Sequence, residues 1–260
     1  MEKINYKIQE MKTNDLTILS YGKIKDNQYD LPIVPWGATE PHNYHLPYLT
    51  DAIISHRIAV DALTYAMDNS DIQGMVLPPV TFGSQNPGQL NKPFCIHARY
   101  ETQKAILTDI VASLDRQGFS KLVIVNGHGG NSFTNMLRDL LVDYPHFLIA
   151  VVSWFSIVPQ SDYFEEKDDH AGEMETSVML YYHPELVTMS EAGDGTAKPF
   201  AIPSFRDKTA WIPRNWGIIS ADTGVGNPKK ATAEKGERYT KVVVEKIGQL
   251  FIDFVTKELY

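Results

Sequence analysis

Four short, almost wholly apolar runs recur along the chain: LPIVPWG at 31–37, GMVLPPV at 74–80, KLVIVNG at 121–127 and FLIAVVSW at 147–154. A strand that is apolar at consecutive positions must be covered on both faces, which is the mark of a parallel sheet under helices. The segments between the runs can supply that cover. DAIISHRIAVDALTYAMDN from Asp51, ARYETQKAILTDIVASLDRQG from Ala98 and NSFTNMLRDLLVDY from Asn131 place apolar residues three and four apart, the spacing of one helical face. The alternation predicts an α/β layered fold. Gly118 reads as the stop of the second helix and Asn131 as the N-cap of the third. A fourth helix is expected from near Gly172 to Tyr182, ended by His183-Pro184. The last, within PKKATAEKGERYTKVVVEKIGQLFIDFVTKEL, carries Val243, Ile247, Leu250, Ile252 and Phe254 on its apolar side.

The stretch 190–226 breaks this rhythm. It is rich in Gly, Pro and aromatics (Phe200, Phe205, Trp211, Trp216) without a clean period. Loops of that length are usually functional or disordered, and the aromatic content favours an ordered lid or a subunit contact. No repeat, low-complexity tract or linker divides the chain, so residues 1–260 are expected to form a single domain.

The charge balance excludes several classes of partner. A net charge of -8, with no basic block, argues against nucleic acid and against an anionic membrane surface. No run approaches the roughly 18 apolar residues that span a bilayer. The lone Cys95 has no intramolecular partner, and the first residues, MEKINYKIQEMKTNDL, are too polar for a secretory signal; a cytoplasmic protein is expected.

Three segments gather chemistry where a strand should hand over to a helix, the usual place for a site in such folds. EPHNYHLPYLTD (40–51) brings Glu40, His42, His45 and Asp51; any one of them alone reads equally well as a polar loop residue or a helix cap. NGHGGN (126–131) presents His128 in a glycine-rich turn that has neither a P-loop lysine nor the GxGxxG spacing of a dinucleotide site. DDHAGEMETS (168–177) sets His170 before a helix start bearing Glu173 and Glu175, where acidic residues also suit the helix dipole. Glu175 precedes a strongly apolar helix, so its burial is expected, and a buried carboxylate needs a counter-charge. Imidazoles and carboxylates without thiolates suit zinc, manganese or iron in a hydrolytic site. Two such ions would acidify a shared water and polarise a carbonyl, with Asp51 able to bridge them and His170 moving protons.

VPWGATEPHNYHLPYLTDA, LVIVNGHGGN and HAGEMETSVMLYYHPELV resemble the three signature segments of the creatininase (creatinine amidohydrolase) family, and GVGNPKKATAEKGE is similar to its later turn. The resemblance implies a three-layer α/β domain with a mostly parallel central sheet flanked by helices, often assembled as a homo-oligomer such as a hexamer. It implies two divalent metal ions, zinc with manganese or iron as alternatives, and hydrolysis of a non-peptide C–N bond in a small-molecule amide substrate. Carried across, it makes Glu40 and His128 ligands of one ion and His42 a ligand of the other, with Asp51 bridging and His170 as acid/base. The family's usual Glu-Gln-His-Gly is Glu-Pro-His-Asn here, and FGSQNPGQLNKPF lacks the family's histidine and Pro-Gly-Thr pattern. Gly130 stands where creatininases carry a ligating glutamate. Glu175 is the replacement candidate, then Glu173, then water. That departure argues against creatinine itself as substrate. Gly129, Gly130 and Trp154, with Trp211 or Trp216, are the candidate substrate contacts; the tryptophans read equally as core or interface anchors. A non-catalytic ligand-holding protein and a metal-dependent phosphoester hydrolase, with Lys92 or Arg99 holding phosphate, are the alternatives.

Overall fold

A computed structural model describes residues 14–167 and 169–260; residues 1–13, most of the segment MEKINYKIQEMKTNDL that reads as too polar for a secretory signal, and Asp168 lie outside the described residues. Strands β1 (Leu31–Trp36), β2 (Gly74–Val76), β3 (Lys121–Asn126) and β4 (Leu148–Ser153) form one sheet in the order β2-β1-β3-β4. Every pairing is parallel, with Ile33 opposite both Val76 and Val123, and Val123 opposite Ala150. Helices α1 (Thr50–Asp68), α2 (Tyr100–Arg116), α3 (Thr134–Asp143), α4 (Glu173–Tyr182) and α5 (Ala233–Thr256) cover it.

Successive strand residues face opposite sides, and the two sides build two cores. Ile33, Val123 and Val125 pack with Ile54 and Ile58 of α1, Val178 of α4 and Val243 and Phe251 of α5. Val34, Trp36, Leu122 and Ile124 pack with Leu107 and Val111 of α2 and Met136 and Leu140 of α3. The result is a three-layer α/β arrangement; β1, β2 and all of β3 past Lys121 are covered on both faces as the apolar runs require, whereas the edge strand β4 is mostly half-buried, with Val151 exposed. Each fully buried Ile, Leu, Val or Phe contributes about 1.5–3 kcal/mol.

Three local expectations are corrected. β2 ends at Val76, not Val80, because Pro78 and Pro79 have no N–H for a ladder; Leu77 and Val80 still donate to Ile33 O and Pro35 O at 2.8 and 2.9 Å. Asn131 does not cap α3, which starts at Thr134 after Phe133. Its amide instead joins three loops, donating to Gly37 O and Asn126 Oδ1 and accepting from the Ser84 N–H. The last helix starts at Ala233, where the Thr232 hydroxyl caps the Lys235 N–H; the preceding Pro228–Lys230 is a separate 3-10 turn. Gly118 does end α2, with φ of +91°. The 190–226 stretch holds two one-turn helices, Pro203–Arg206 and Trp216–Ile219, and its end is tied to the site loop by a bridge between Val225 and His170.

Candidate metal centre

β1 and β3 are neighbours, but the helices that follow them, α1 and α3, cover opposite faces of the sheet. Their carboxyl ends therefore diverge and leave a crevice, where such folds place their sites. The loop after β1 supplies Glu40 and His42, and the first turn of α1 supplies Asp51. The turn after β3 supplies His128; the entry to α4 supplies His170 and Glu175. Gly127 makes the approach possible, since a Cβ there would stand 2.4 Å from the carbonyl oxygen of Asp51.

All six side chains are buried and converge. Glu40, Asp51 and His128 form one set of close ligand atoms; His42, Asp51 and Glu175 form a second; Glu40, His42 and His170 form a third. Asp51 is common to the first two. Its Oδ1 meets His42 Nε2 at 3.0 Å, and its Oδ2 lies 3.1 Å from His128 Nδ1 without the alignment of a hydrogen bond. His128 Nδ1 also faces Glu40 Oε1 at 2.9 Å. An orphaned carboxylate oxygen, two further buried carboxylates and imidazole nitrogens turned toward them are what divalent ions require, so the residues fit such ions.

The outer nitrogen of each histidine is held by a backbone carbonyl. His42 Nδ1 is 3.0 Å from Glu40 O, His128 Nε2 is 2.7 Å from Ser84 O and His170 Nε2 is 2.9 Å from Pro41 O. A carbonyl only accepts, so these nitrogens carry the protons and the inner nitrogens are turned to the cluster as lone pairs once neutral.

The charges explain the titration. Burial alone would lower the His42 pKa, but the charge and hydrogen bond of Asp51, with Glu175 and Glu40 behind, raise it to about 10. Burial also opposes the charge on His128, yet Glu40 and Asp51 lift it well above an ordinary histidine. Against burial, the histidines in turn hold Glu40 and Asp51 below the usual carboxylate range. His170 differs: burial and the His42 charge push its pKa down, leaving a neutral ring whose Nδ1 is 3.9 Å from Glu40 Oε1.

Some expected members are elsewhere. His45, in the same loop, turns to the Thr176 hydroxyl at 2.8 Å; burial and then the His42 charge lower its pKa to about 4. Glu173 binds Lys235 and the N–H groups of Glu165 and Glu166, and none of the three clusters contains it. Trp154, expected as a substrate wall, is fully buried in the core beside Phe155 and Tyr239, because the β4 register directs it under α5. Gly129 and Gly130 do line the cavity above the cluster, about 600 Å³ in volume, together with Trp211 and Trp216. A Cβ at Gly130 would stand 2.1 Å from Ser84 O, the oxygen that holds His128, so a glutamate has no room to leave the backbone there. Lys92 and Arg99 do not line the cavity, whereas Arg214 does. Sequence reasoning also missed Gln89, which donates to Glu40 Oε2; no local motif marks it.

The comparisons with known proteins agree with this architecture. The family model described as creatinine amidohydrolase matches residues 14–251. The mycofactocin precursor peptide peptidase of Mycolicibacterium smegmatis is 31% identical over 208 residues, 79% of this chain and 78% of that protein. The creatinine amidohydrolase of Pseudomonas putida is 25% identical over 239 residues, 83% of this chain and 86% of that protein. A crystal structure of a putative creatinine amidohydrolase from Bacteroides fragilis superposes with a TM-score of 0.94 at 59% identity, covering 96% of this chain and 99% of that one. Creatininase structures described as a Zn-Zn type and a Mn form share the fold at TM-scores of 0.73 and 0.74, with 23% and 21% identity. They cover 93% and 94% of this chain and 98% and 99% of theirs.

A buried carboxylate and imidazole cluster at the switch point of a parallel sheet defines a metal-competent centre, and the matched family makes the class of protein a hydrolase. The chain belongs to the creatininase (creatinine amidohydrolase) family, whose named members are hydrolases and include a creatinine amidohydrolase and a precursor peptide peptidase that act on C–N bonds.

Proposed function

We propose that the chain is a metal-dependent amidohydrolase that cleaves the C–N bond of a small cyclic amide, formamide or related amide, using two divalent ions, zinc or manganese. The observation that carries this reading is the tethering of three histidines by three backbone carbonyls, which turns every inner nitrogen toward three buried carboxylates. Glu40, His128 and Asp51 would hold one ion, and His42, Glu175 and Asp51 the other. Divalent ions, when bound, supply Lewis acidity that lowers the pKa of water and polarises a carbonyl. Gln89 and the Ser84 carbonyl fix Glu40 and His128, so little reorganisation accompanies the reaction. His170, neutral and with its Nδ1 toward the cluster, takes a proton at that atom and returns it to the leaving nitrogen. Trp216, in a T-shaped contact with His170 at 5.6 Å, limits water on that side.

The 190–226 segment acts as the lid, since its Trp211, Arg214 and Trp216 form one wall of the cavity. A homo-oligomer is proposed on the exposed Phe82, Leu90, Phe94 and Ile96, which light scattering tests directly. No helix among the described residues is long and apolar enough to cross a membrane, and a cytoplasmic location is proposed with that.

The test combines elemental analysis with a panel of cyclic amides, formamides and short peptides, before and after chelation. Bound metal and chelator-sensitive turnover are expected. A metal-free chain whose activity ignores chelators would refute the reading.

A further inference from the structure

Among the described residues, Arg214 is the one lysine or arginine that lines the cavity over the centre. Its guanidinium lies over the face of Trp216, 4.5 Å from the ring centroid, and that ring meets His170 in a T-shaped contact. The indole is itself fixed, because Trp216 Nε1 donates to Thr223 O at 2.8 Å and its backbone N–H donates to Pro87 O at 2.7 Å. Arg214 therefore stands one ring away from the proposed acid/base. One arm, Nη2, pairs with Asp169 Oδ2 at 2.5 Å, and the Asp169 side chain is 55% exposed. A guanidinium has five N–H donors, so an exposed carboxylate on one arm leaves donors for a second anion.

We propose that Arg214 is a specificity-determining residue that receives a carboxylate of the substrate. The substrate class is then an amide with a carboxylate close to the scissile C–N bond, such as an N-acyl amino acid or the carboxyl-terminal bond of a short peptide. This assignment rests on the amidohydrolase reading given above. Exposed Trp211 and Ile212 on the same wall suit the apolar part of such a molecule. A single arginine with one arm already paired with Asp169 offers a second anion one short face of donors, which matches a carboxylate monoanion.

The test is calorimetric titration of the metal-loaded protein with N-acetylleucine and with N-acetylleucinamide, which differ in carboxylate against carboxamide. The native chain is expected to bind the carboxylate about tenfold or more tightly, the range of a charge-assisted hydrogen bond. Arg214→Gln should abolish that preference, and Asp169→Asn should keep or increase it, since the competing anion is gone. If the pair served only to pin the loop, the two variants would weaken both probes alike, and the proposal would fall. It would also fall if the preference survived Arg214→Gln, which would place the carboxylate on the metal ions, or if the native chain bound both probes equally or not at all. A preference without hydrolysis of any amide would retain Arg214 and remove the amidohydrolase reading. Hydrolysis of amides without a preference would do the opposite.

Discussion

Loading the centre with metal should expel protons, because the metal-free site already holds cations of another kind. At neutral pH His42 and His128 are protonated between Glu40, Asp51 and Glu175, and an imidazole ligates only when neutral. Deprotonating His42 at pH 7, against a pKa of about 10, costs roughly 4 kcal/mol at about 1.4 kcal/mol per pH unit. His128 adds a further cost of the same sign. Filling both sets should therefore release about two protons, and the apparent affinity of each ion should rise about tenfold per pH unit near neutrality. Calorimetric titration of zinc into the chelated protein in two buffers of different ionisation enthalpy counts the protons directly. His42→Ala should release about one proton fewer. Heats that are identical in both buffers, or an unchanged proton count in His42→Ala, would refute the charge assignment.

Three further outcomes follow from the geometry. Glu175→Gln should reduce the metal content from two ions to one while the fold persists, whereas Glu173→Ala should leave the ions and lower stability on the order of 3 kcal/mol, since it strips the Lys235 partner and the oxygen that accepts two backbone N–H groups. Metal analysis and chemical denaturation of the two variants separate those effects, and equal metal loss in both would contradict the division. Gly130→Glu should weaken metal binding instead of adding a ligand, because its Cβ meets Ser84 O and forces His128 off its anchor; tighter binding would show that the loop yields. For the metal-free chain, the raised pKa of His42 stabilises the fold fully below about 6.5, and that contribution is lost as the pH rises through about 10. The Tm of chelated protein should fall across that window, and a flat profile would count against the His42–Asp51 pair.

His170→Ala probes the acid/base role. Metal content should stay intact and turnover should fall about 100-fold or more, the range for loss of a positioned acid or base. Unchanged turnover with full metal occupancy would remove His170 from the reaction.

Much of this protein was legible before any coordinates. The unbroken apolar runs pointed to strands under cover, and the helical period of 3.6 between them supplied that cover, so the parallel sheet and the position of three motifs at its carboxyl edge followed from the sequence. The convergence of Glu40, His42, Asp51 and His128 was likewise within reach of the sequence, since each sits where a strand gives way to a helix. The tertiary structure decided what local order leaves open, namely the direction of each side chain. His128 owes its orientation to a carbonyl 44 residues away and His170 to one 129 residues away. Glu173 and Glu175 are two apart and therefore point to nearly opposite sides of α4, but only the packing of Lys235 and Ala171 against them selects which one reaches Asp51. Trp154 went to the core and Arg214 to the cavity for the same reason: spacing along the chain gives a residue its face, and only contacts between distant segments decide what that face meets.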